Sequence, residues 1–293
     1  MLLCDCDRGF FEKLFKRMIA MKKTLTVVFT CFNRKEKTIQ AMRSLVEKNK
    51  SIDFKFIVVD DKSSDGTVDA IKKLEYDVKI INGTGSLFWC GGMRVGIDRY
   101  QEKNDGTDCL LINDDVEFFD SAIEKIVSYQ NNLQDTVIVG ATCDKNGVFT
   151  YGFRRNRGDK SIWLNPVQPN AEGIIGDTMN ANCVLIPYKI MREVGNMDKK
   201  YTHSLGDYDL GFSITKMGYK LISSAEYVGH CEENGFENSW RDSKLSRLDR
   251  IRKKESPKGS PFGEWWHFLY KNYGLIVAVK YSLTPYIKIL MRR

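Results

Sequence analysis

The chain has 293 residues, of which 42% are hydrophobic, so a sizeable core is within reach and disorder is excluded as the main state. Its formal net charge is +7, with Lys and Arg crowded at Lys13, Lys16, Arg17, Lys22 and Lys23, from Arg241 to Lys258, and at Arg292 and Arg293. Such a balance suits an anionic partner, and no stretch reaches the ~18 uninterrupted apolar residues of a membrane span. The eight cysteines (Cys4, Cys6, Cys31, Cys90, Cys109, Cys143, Cys183 and Cys231) form no CxxC pair. They read as reduced, buried thiols of a cytoplasmic protein rather than a zinc site.

Acids and bases break up the apolar part of the first twenty-two residues, so they are expected to be an N-terminal extension and not a secretory signal. From Thr24 to Phe32 the chain is β-branched, apolar and short, which predicts a buried strand. Helical spacing follows, with Ile39, Met42, Leu45 and Val46 on one face. A second strand is expected over Phe54 to Asp61, then a turn and helix through "SSDGTVDAIKKLE", with Ser64 or Asp65 as cap. A third strand covers Val78 to Ile81, and "MRVGIDRYQEK" reads as a helix. A fourth strand, Cys109 to Asp114, ends in Asn113, Asp114 and Asp115.

Strand and helix alternating in this way predict an α/β fold whose mostly parallel sheet has helices on both faces. Ligands of such sheets lie beyond the C-terminal strand ends. Asn33, Asp60, Asp61, Asn113, Asp114 and Asp115 all fall at such ends. The second half is less regular. Strands are expected over Thr136 to Thr142, Ala181 to Pro187 and "KLISSAEYVGH", helices over "YKIMREVG" and "GDYDLGFSITKMGYKL", and loops from Gly152 to Gly173.

Adjacent carboxylates repel, and burying them unpaired is costly. Asp114 and Asp115 therefore mark either a solvated capping turn or a cation site. Gly83-Thr84-Gly85 lacks the third glycine of a dinucleotide fingerprint. Gly91 and Gly92 precede the expected helix and could let a ligand approach the backbone. Trp89 fits the core as well as a stacking platform. Asp207 and Asp209 are either helix caps or a cleft-facing base. His230 ends a strand and is either structural or a metal or phosphate contact.

Together, "VVFTCFNRKEKTIQAMRSL", "VVDDKSSDGT", "LLINDDVEF" and "GDYDLGFSITKMGYKL" resemble the family 2 nucleotide-sugar glycosyltransferases of the GT-A fold, from about Leu25 to about Asn234. The "FWCGGMRVGI" stretch is similar to the subgroup that builds bacterial surface polysaccharides. The resemblance implies an inverting transfer of sugar from a UDP-, TDP- or GDP-sugar to a glycan or lipid-linked acceptor. It implies that Thr30, Asn33 and Arg34 border the nucleotide and that Asp60 and Asp61 contact base and ribose. Asn113, Asp114 and Asp115 lie over the DxD motif, with Asp115 holding Mg²⁺ or Mn²⁺, His230 as a late metal or diphosphate ligand, and Asp207 as catalytic base. Gly206 stands where Glu is common. Ser213 stands where Arg often follows, a contact that Arg94 could supply instead.

Residues 23–238 are thus expected to be the catalytic domain, and 239–293 a basic, aromatic, helical region. With Trp265, Trp266, Phe268, Tyr270 and Tyr273 among bases, that region suits an interfacial helix on the inner face of a membrane. A helix packed on the core, or on a second subunit of a homodimer, is the alternative. No nucleic-acid motif accompanies the charge. Two other functions compete, a sugar nucleotidyltransferase and an inactive nucleotide-binding module. The first lacks its Gly- and Arg-rich triphosphate loop, and intact Asp115 and Asp207 weigh against the second.

Overall fold

The structure is a computed structural model that describes residues 22–156, 162, 164–170 and 173–291. The expected N-terminal extension, apart from Lys22, lies outside the described residues, as do Cys4, Cys6, Arg292 and Arg293. Four parallel strands come first: β1 (Lys23–Cys31), β2 (Ile52–Asp60), β3 (Val78–Asn82) and β4 (Asp108–Ile112), in spatial order β3-β2-β1-β4. Helices α1 (Lys35–Glu47), α2 (Thr67–Lys72) and α3 (Phe88–Lys103) connect them.

Alternate residues of β1 serve two cores, because successive side chains of a strand point to opposite faces. Leu25, Val27 and Phe29 pack with Met42 and Leu45 of α1, whereas Val28 packs with Met93 and Ile97 of α3. In the register Cys31 stands beside Asp60, and Val28 beside both Ile57 and Leu111. The C-terminal ends of β1, β2 and β4 therefore open on one edge.

Beyond β4 come β5 (Glu117–Phe118), α4 (Ala122–Asn131), β6 (Thr136–Cys143), β7 (Phe153–Asn156), β8 (Leu164–Pro166), β9 (Ile175–Gly176), β10 (Thr178–Met179), β11 (Cys183–Ile186), α5 (Tyr188–Val194), α6 (Gly206–Lys216) and β12 (Lys220–His230). β11 runs antiparallel between β4 and β6, and β12 lies parallel to β6, so the sheet is mixed but mostly parallel. Part of the stretch expected as loops, Gly152 to Gly173, instead forms β7 and β8, which join β10 in a small antiparallel sheet. α3 starts at Phe88, earlier than its glycine pair suggests. The six described cysteines are buried free thiols, and no helix among the described residues is long and apolar enough to cross a membrane.

The C-terminal region holds α7 (Arg247–Lys254), a short 3-10 turn, α8 (Phe262–Tyr273), α9 (Leu275–Tyr281) and α10 (Thr284–Leu290). Of the two readings for this region, α8 takes core packing. Phe268 and Leu269 are buried with Tyr201 and Phe212 in a third core. Asp209 of α6 is buried and accepts hydrogen bonds from Lys271 Nζ (2.7 Å), Asn272 Nδ2 (2.9 Å) and the Tyr201 hydroxyl (3.2 Å). Lys271 also reaches Asp198 at 2.9 Å, as does His267 Nε2. A buried carboxylate demands such partners.

Lys271→Met leaves the buried Asp209 without its cationic partner. In urea unfolding it should lose about 1–3 kcal/mol. Lys125→Met removes the exposed pair with Glu226 and should change stability by no more than ~1 kcal/mol. Equal shifts for the two variants would mean that the α6–α8 clamp is no stronger than a surface pair.

Candidate active site

The chain after β4 enters a turn that carries Asn113, Asp114 and Asp115. Arg34, the residue that caps α1, forks across the two acids. Its Nη1 donates to Asp114 Oδ1 at 2.9 Å and its Nη2 to Asp115 Oδ2 at 2.6 Å. Thr38 Oγ1 donates to Asp114 Oδ2 at 3.3 Å, and the Cys231 thiol lies 3.5 Å from Asp115 Oδ1. Burial pushes the Asp114 carboxyl up to about 6, with the Asp115 charge adding to the rise and the Arg34 guanidinium opposing it. Burial works against the Arg34 charge too, but the two carboxylates outweigh it and raise its pKa. The repulsion within the acid pair is thus offset by a guanidinium.

The other expected nucleotide-side residues are tied into the scaffold. Asn33, in left-handed backbone (φ 51°), donates its N–H to Ser63 Oγ at 2.9 Å, and its Oδ1 accepts from the Ser64 N–H at 2.8 Å. Asp60 accepts from the Ser63 N–H at 2.9 Å. Asp61 accepts three backbone N–H groups, from Gly85 (2.7 Å), Leu87 (2.9 Å) and Phe88 (3.1 Å), and so anchors the start of α3. The Thr30 hydroxyl donates to the Val59 carbonyl at 2.9 Å.

Gly91 and Gly92 lie inside α3, and the close approach Gly92 permits is that of helix to strand. A Cβ at Gly92 would stand 2.2 Å from Thr30 Oγ1. Arg94 donates to the carbonyls of Asp198 (3.3 Å) and Tyr201 (2.5 Å) and does not line the cleft described next. Phe32, which the sequence reading passes over, is 50% exposed beside Asn33.

A cleft of about 260 Å³ holds Arg34, Asn113 and Asp115 on one wall and Asp207, Asn180 and His203 on another. Trp89 lines it as well, and its Nε1 donates to Asn113 Oδ1 at 2.9 Å. Asp207 lies in the first turn of α6. Its Oδ1 accepts the Tyr208 N–H at 2.9 Å, and its Oδ2 takes longer bonds from the Ala181 N–H (3.4 Å) and Asn180 Nδ2 (3.5 Å). Burial raises its pKa despite these donors. The residue before α6, Leu205, holds φ at +74°, a strained value for a branched side chain. Gly206 is explained locally, since a Cβ there would meet Cys90 Sγ at 2.7 Å. Ser213 donates to the Asp209 carbonyl at 2.9 Å.

His203 was not singled out from the sequence. Its Nδ1 accepts the Trp89 N–H at 3.4 Å, which puts its ring proton on Nε2. Burial, with help from the Lys258 charge, lowers its pKa to about 4, so the ring is neutral. A lone His in "YTHSLG" carries no strand-end signal that could have marked it.

His230 lies apart from the main cleft, in an adjoining hollow of about 190 Å³ that Asp115 also lines. Its Nδ1 faces the Asp144 carbonyl at 3.2 Å, and its ring meets Phe119 edge-on with centroids 4.6 Å apart. Among the described residues no three His, Cys, Asp or Glu groups are gathered to hold a cation. Asp115 nonetheless fits a hard divalent ion, because such ions commonly take one or two carboxylates and complete their shell with phosphate and water.

The sequence matches the family model for glycosyl transferase family 2 over residues 26–195. No curated protein matches the sequence significantly. The fold is similar to mannosyltransferase PcManGT from Pyrobaculum calidifontis, solved with GDP-Man and Mn²⁺ (TM-score 0.57, 11% identity, covering 97% of this chain and 80% of that one). It is also similar to GalNAc-T7, solved with UDP, GalNAc and Mn²⁺ (TM-score 0.56, 14% identity, 92% and 56% covered). The S. aureus TarS fragment 1–349 with UDP-GlcNAc is a third neighbour (TM-score 0.55, 14% identity, 92% and 79% covered). The architecture they share with this chain is the GT-A fold.

Asp61→Asn replaces one acceptor oxygen by a donor amide facing backbone N–H groups. It should destabilise the ligand-free protein by about 1–3 kcal/mol, read from its unfolding midpoint. Unchanged stability would leave Asp61 no scaffold role.

Proposed function

The chain belongs to glycosyl transferase family 2, and on that premise we propose that it moves a sugar from a UDP-, TDP- or GDP-sugar to a hydroxyl of a glycan or lipid-linked acceptor, with inversion, in surface-polysaccharide synthesis. The observation that carries this reading is one cleft that joins a cation-seeking carboxylate, Asp115, to a half-buried carboxylate of raised pKa, Asp207. Charge gathers on the diphosphate as its bond to the sugar breaks, and a proton must leave the attacking hydroxyl. The two acids serve these two needs.

In this reading the acceptor hydroxyl gives its proton to Asp207 while its oxygen bonds to the anomeric carbon. The bond from that carbon to the diphosphate oxygen breaks on the opposite face, which inverts the configuration. The raised pKa of Asp207 strengthens it as a base near neutral pH. His203 Nε2–H and Asn180 are the neighbouring groups able to orient the acceptor. The half-exposed ring of Phe32 offers an apolar face to the nucleobase.

Mg²⁺ or Mn²⁺ held by Asp115, with His230 as the second protein ligand, would supply Lewis-acid neutralisation of the leaving diphosphate. Arg34 occupies Asp115 Oδ2, so it competes with that cation. Turned away, its planar fork suits phosphate oxygens. The PcManGT and GalNAc-T7 structures, which contain Mn²⁺, support metal use by likeness of fold.

Asp115→Ala should abolish Mn²⁺-dependent binding of UDP, TDP or GDP in calorimetry; full metal-dependent binding by the variant would refute its assignment. Asp207→Asn should keep donor binding and lower transfer ~10²-fold or more. If instead Asp209→Asn abolishes transfer at intact fold while Asp207→Asn does not, the base is misassigned. Transfer needs the ionised base, so the rate should fall as pH drops through the Asp207 pKa. That acid limb should lie above the ordinary Asp range of ~4. A rate that stays flat to below that value would contradict the role.

A further inference from the structure

The last two helices leave an apolar face that neither the fold nor the sugar-transfer reading uses. Ser282 (φ −58°, ψ −39°) and Leu283 (φ −86°, ψ −8°) keep right-handed helical dihedrals between α9 and α10, so side chains from Leu275 to Leu290 follow one helical period. Ala278, Ser282, Pro285 and Ile289 face inward and are buried. On the opposite side stand Ile276, Val279, Leu283, Ile287 and Leu290, all more than half exposed, with Ile276 at 84%. The inner face is fastened. Trp265 Nε1 donates to the Tyr281 carbonyl at 3.3 Å, and the Tyr286 hydroxyl bonds Glu255.

Charge identifies what covers this face. From Trp265 to Arg293 the sequence contains no Asp or Glu, and beyond Lys271, which is paired with Asp198 and Asp209, it carries Lys280, Lys288, Arg292 and Arg293. Lys280 is exposed on the same outer side as the aliphatic stripe, and Lys288 is exposed on its flank. A second copy of the chain would bring two such faces together, each carrying Lys280 and neither an acid. An anionic bilayer offers hydrocarbon to the stripe and headgroup charge to the cations.

We infer that α9 and α10 form a docking surface for an anionic lipid bilayer, with Ile276, Leu283 and Ile287 entering the headgroup boundary and Lys280 beside them. Aliphatic side chains do the inserting. Trp265, Phe268 and Tyr273, expected from the sequence to sit at a membrane, pack against one another and the core instead. The surface is carried by α8, which packs on α6 and on the loop through Tyr201. Docking would therefore connect the membrane, through α8, to the helix bearing Asp207. The inference is independent of the transfer reading, since it concerns lipid binding without donor or acceptor.

Flotation of the full chain with vesicles of phosphatidylcholine alone, and with an equal mixture of phosphatidylcholine and phosphatidylglycerol, tests it. The chain should float with the mixed vesicles, stay behind with the neutral ones, and bind less at high salt. The triple variant Ile276→Glu/Leu283→Glu/Ile287→Glu alters only exposed positions and should lose binding while keeping the parent's melting temperature. Lys280→Glu should weaken partition by on the order of fivefold or more. Failure of the parent to float with mixed vesicles, or flotation of the triple variant like the parent, would overturn the inference. So would a parent dimer in solution that the triple variant makes monomeric, because the face would then belong to a second copy.

Discussion

Asp114 and Asp115 sit side by side at the end of β4, one buried and the other lining a cleft, and their repulsion must be answered by positive charge. Arg34 answers it with both arms of its guanidinium. The requirement organises the elements around it. β1 and β4 run parallel in a register that brings their C-terminal ends to one edge, so the β1–α1 turn delivers Arg34 to the acids. α1 adds Thr38, and the residue after β12, Cys231, closes on Asp115. Bidentate Arg–carboxylate contacts of this kind are strong and geometrically specific. The same arrangement defines what a ligand must bring, since a group that displaces Arg34 from Asp115 has to replace its charge.

The carboxylates of this edge separate by what already satisfies them. Asp60 accepts a backbone N–H of its own turn, Asp61 accepts those at the start of α3, and Asp209 accepts from the tail. Such acids hold the scaffold rigid around the cleft. Asp115 and Asp207 face the open space between them, Asp115 beside Asn113 and Asp207 in the first turn of α6 behind a strained Leu205. Strain of that sort persists only where the surroundings enforce it, and here Cys90 beneath Gly206 and the Arg94 bonds to the preceding loop do so.

Much of the first half was legible because its strands are short apolar runs and its helices carry apolar residues at helical spacing. The acids at strand ends follow from the same alternation. α4 carries an equally clear pattern in Ile123, Ile126 and Val127, but the acid-rich turn before it obscures its start. The direction of β11 was not legible, since "CVLI" reads alike in either direction and only pairing with β4 and β6 decides it. β7, β8 and β10 are short and partly polar, held by pairing across the chain rather than by local preference. The Arg34 fork joins residues 80 and 81 positions apart, and no local pattern announces it. Gly91 and Gly92 read as a ligand loop because glycine so often serves one. Here the small size of Gly92 lets α3 settle on Thr30.

The central claim is that Asp115 and Arg34 exchange partners when a nucleoside diphosphate and a divalent cation arrive. A crystal structure of the protein with UDP or GDP and Mn²⁺, with the metal located by anomalous scattering, measures this directly. The account predicts Mn²⁺ within coordination distance of Asp115 and of the diphosphate, with the Arg34 guanidinium moved from Asp115 to phosphate oxygens. Mn²⁺ and nucleotide bound elsewhere, with the Arg34–Asp115 pair intact, would contradict it.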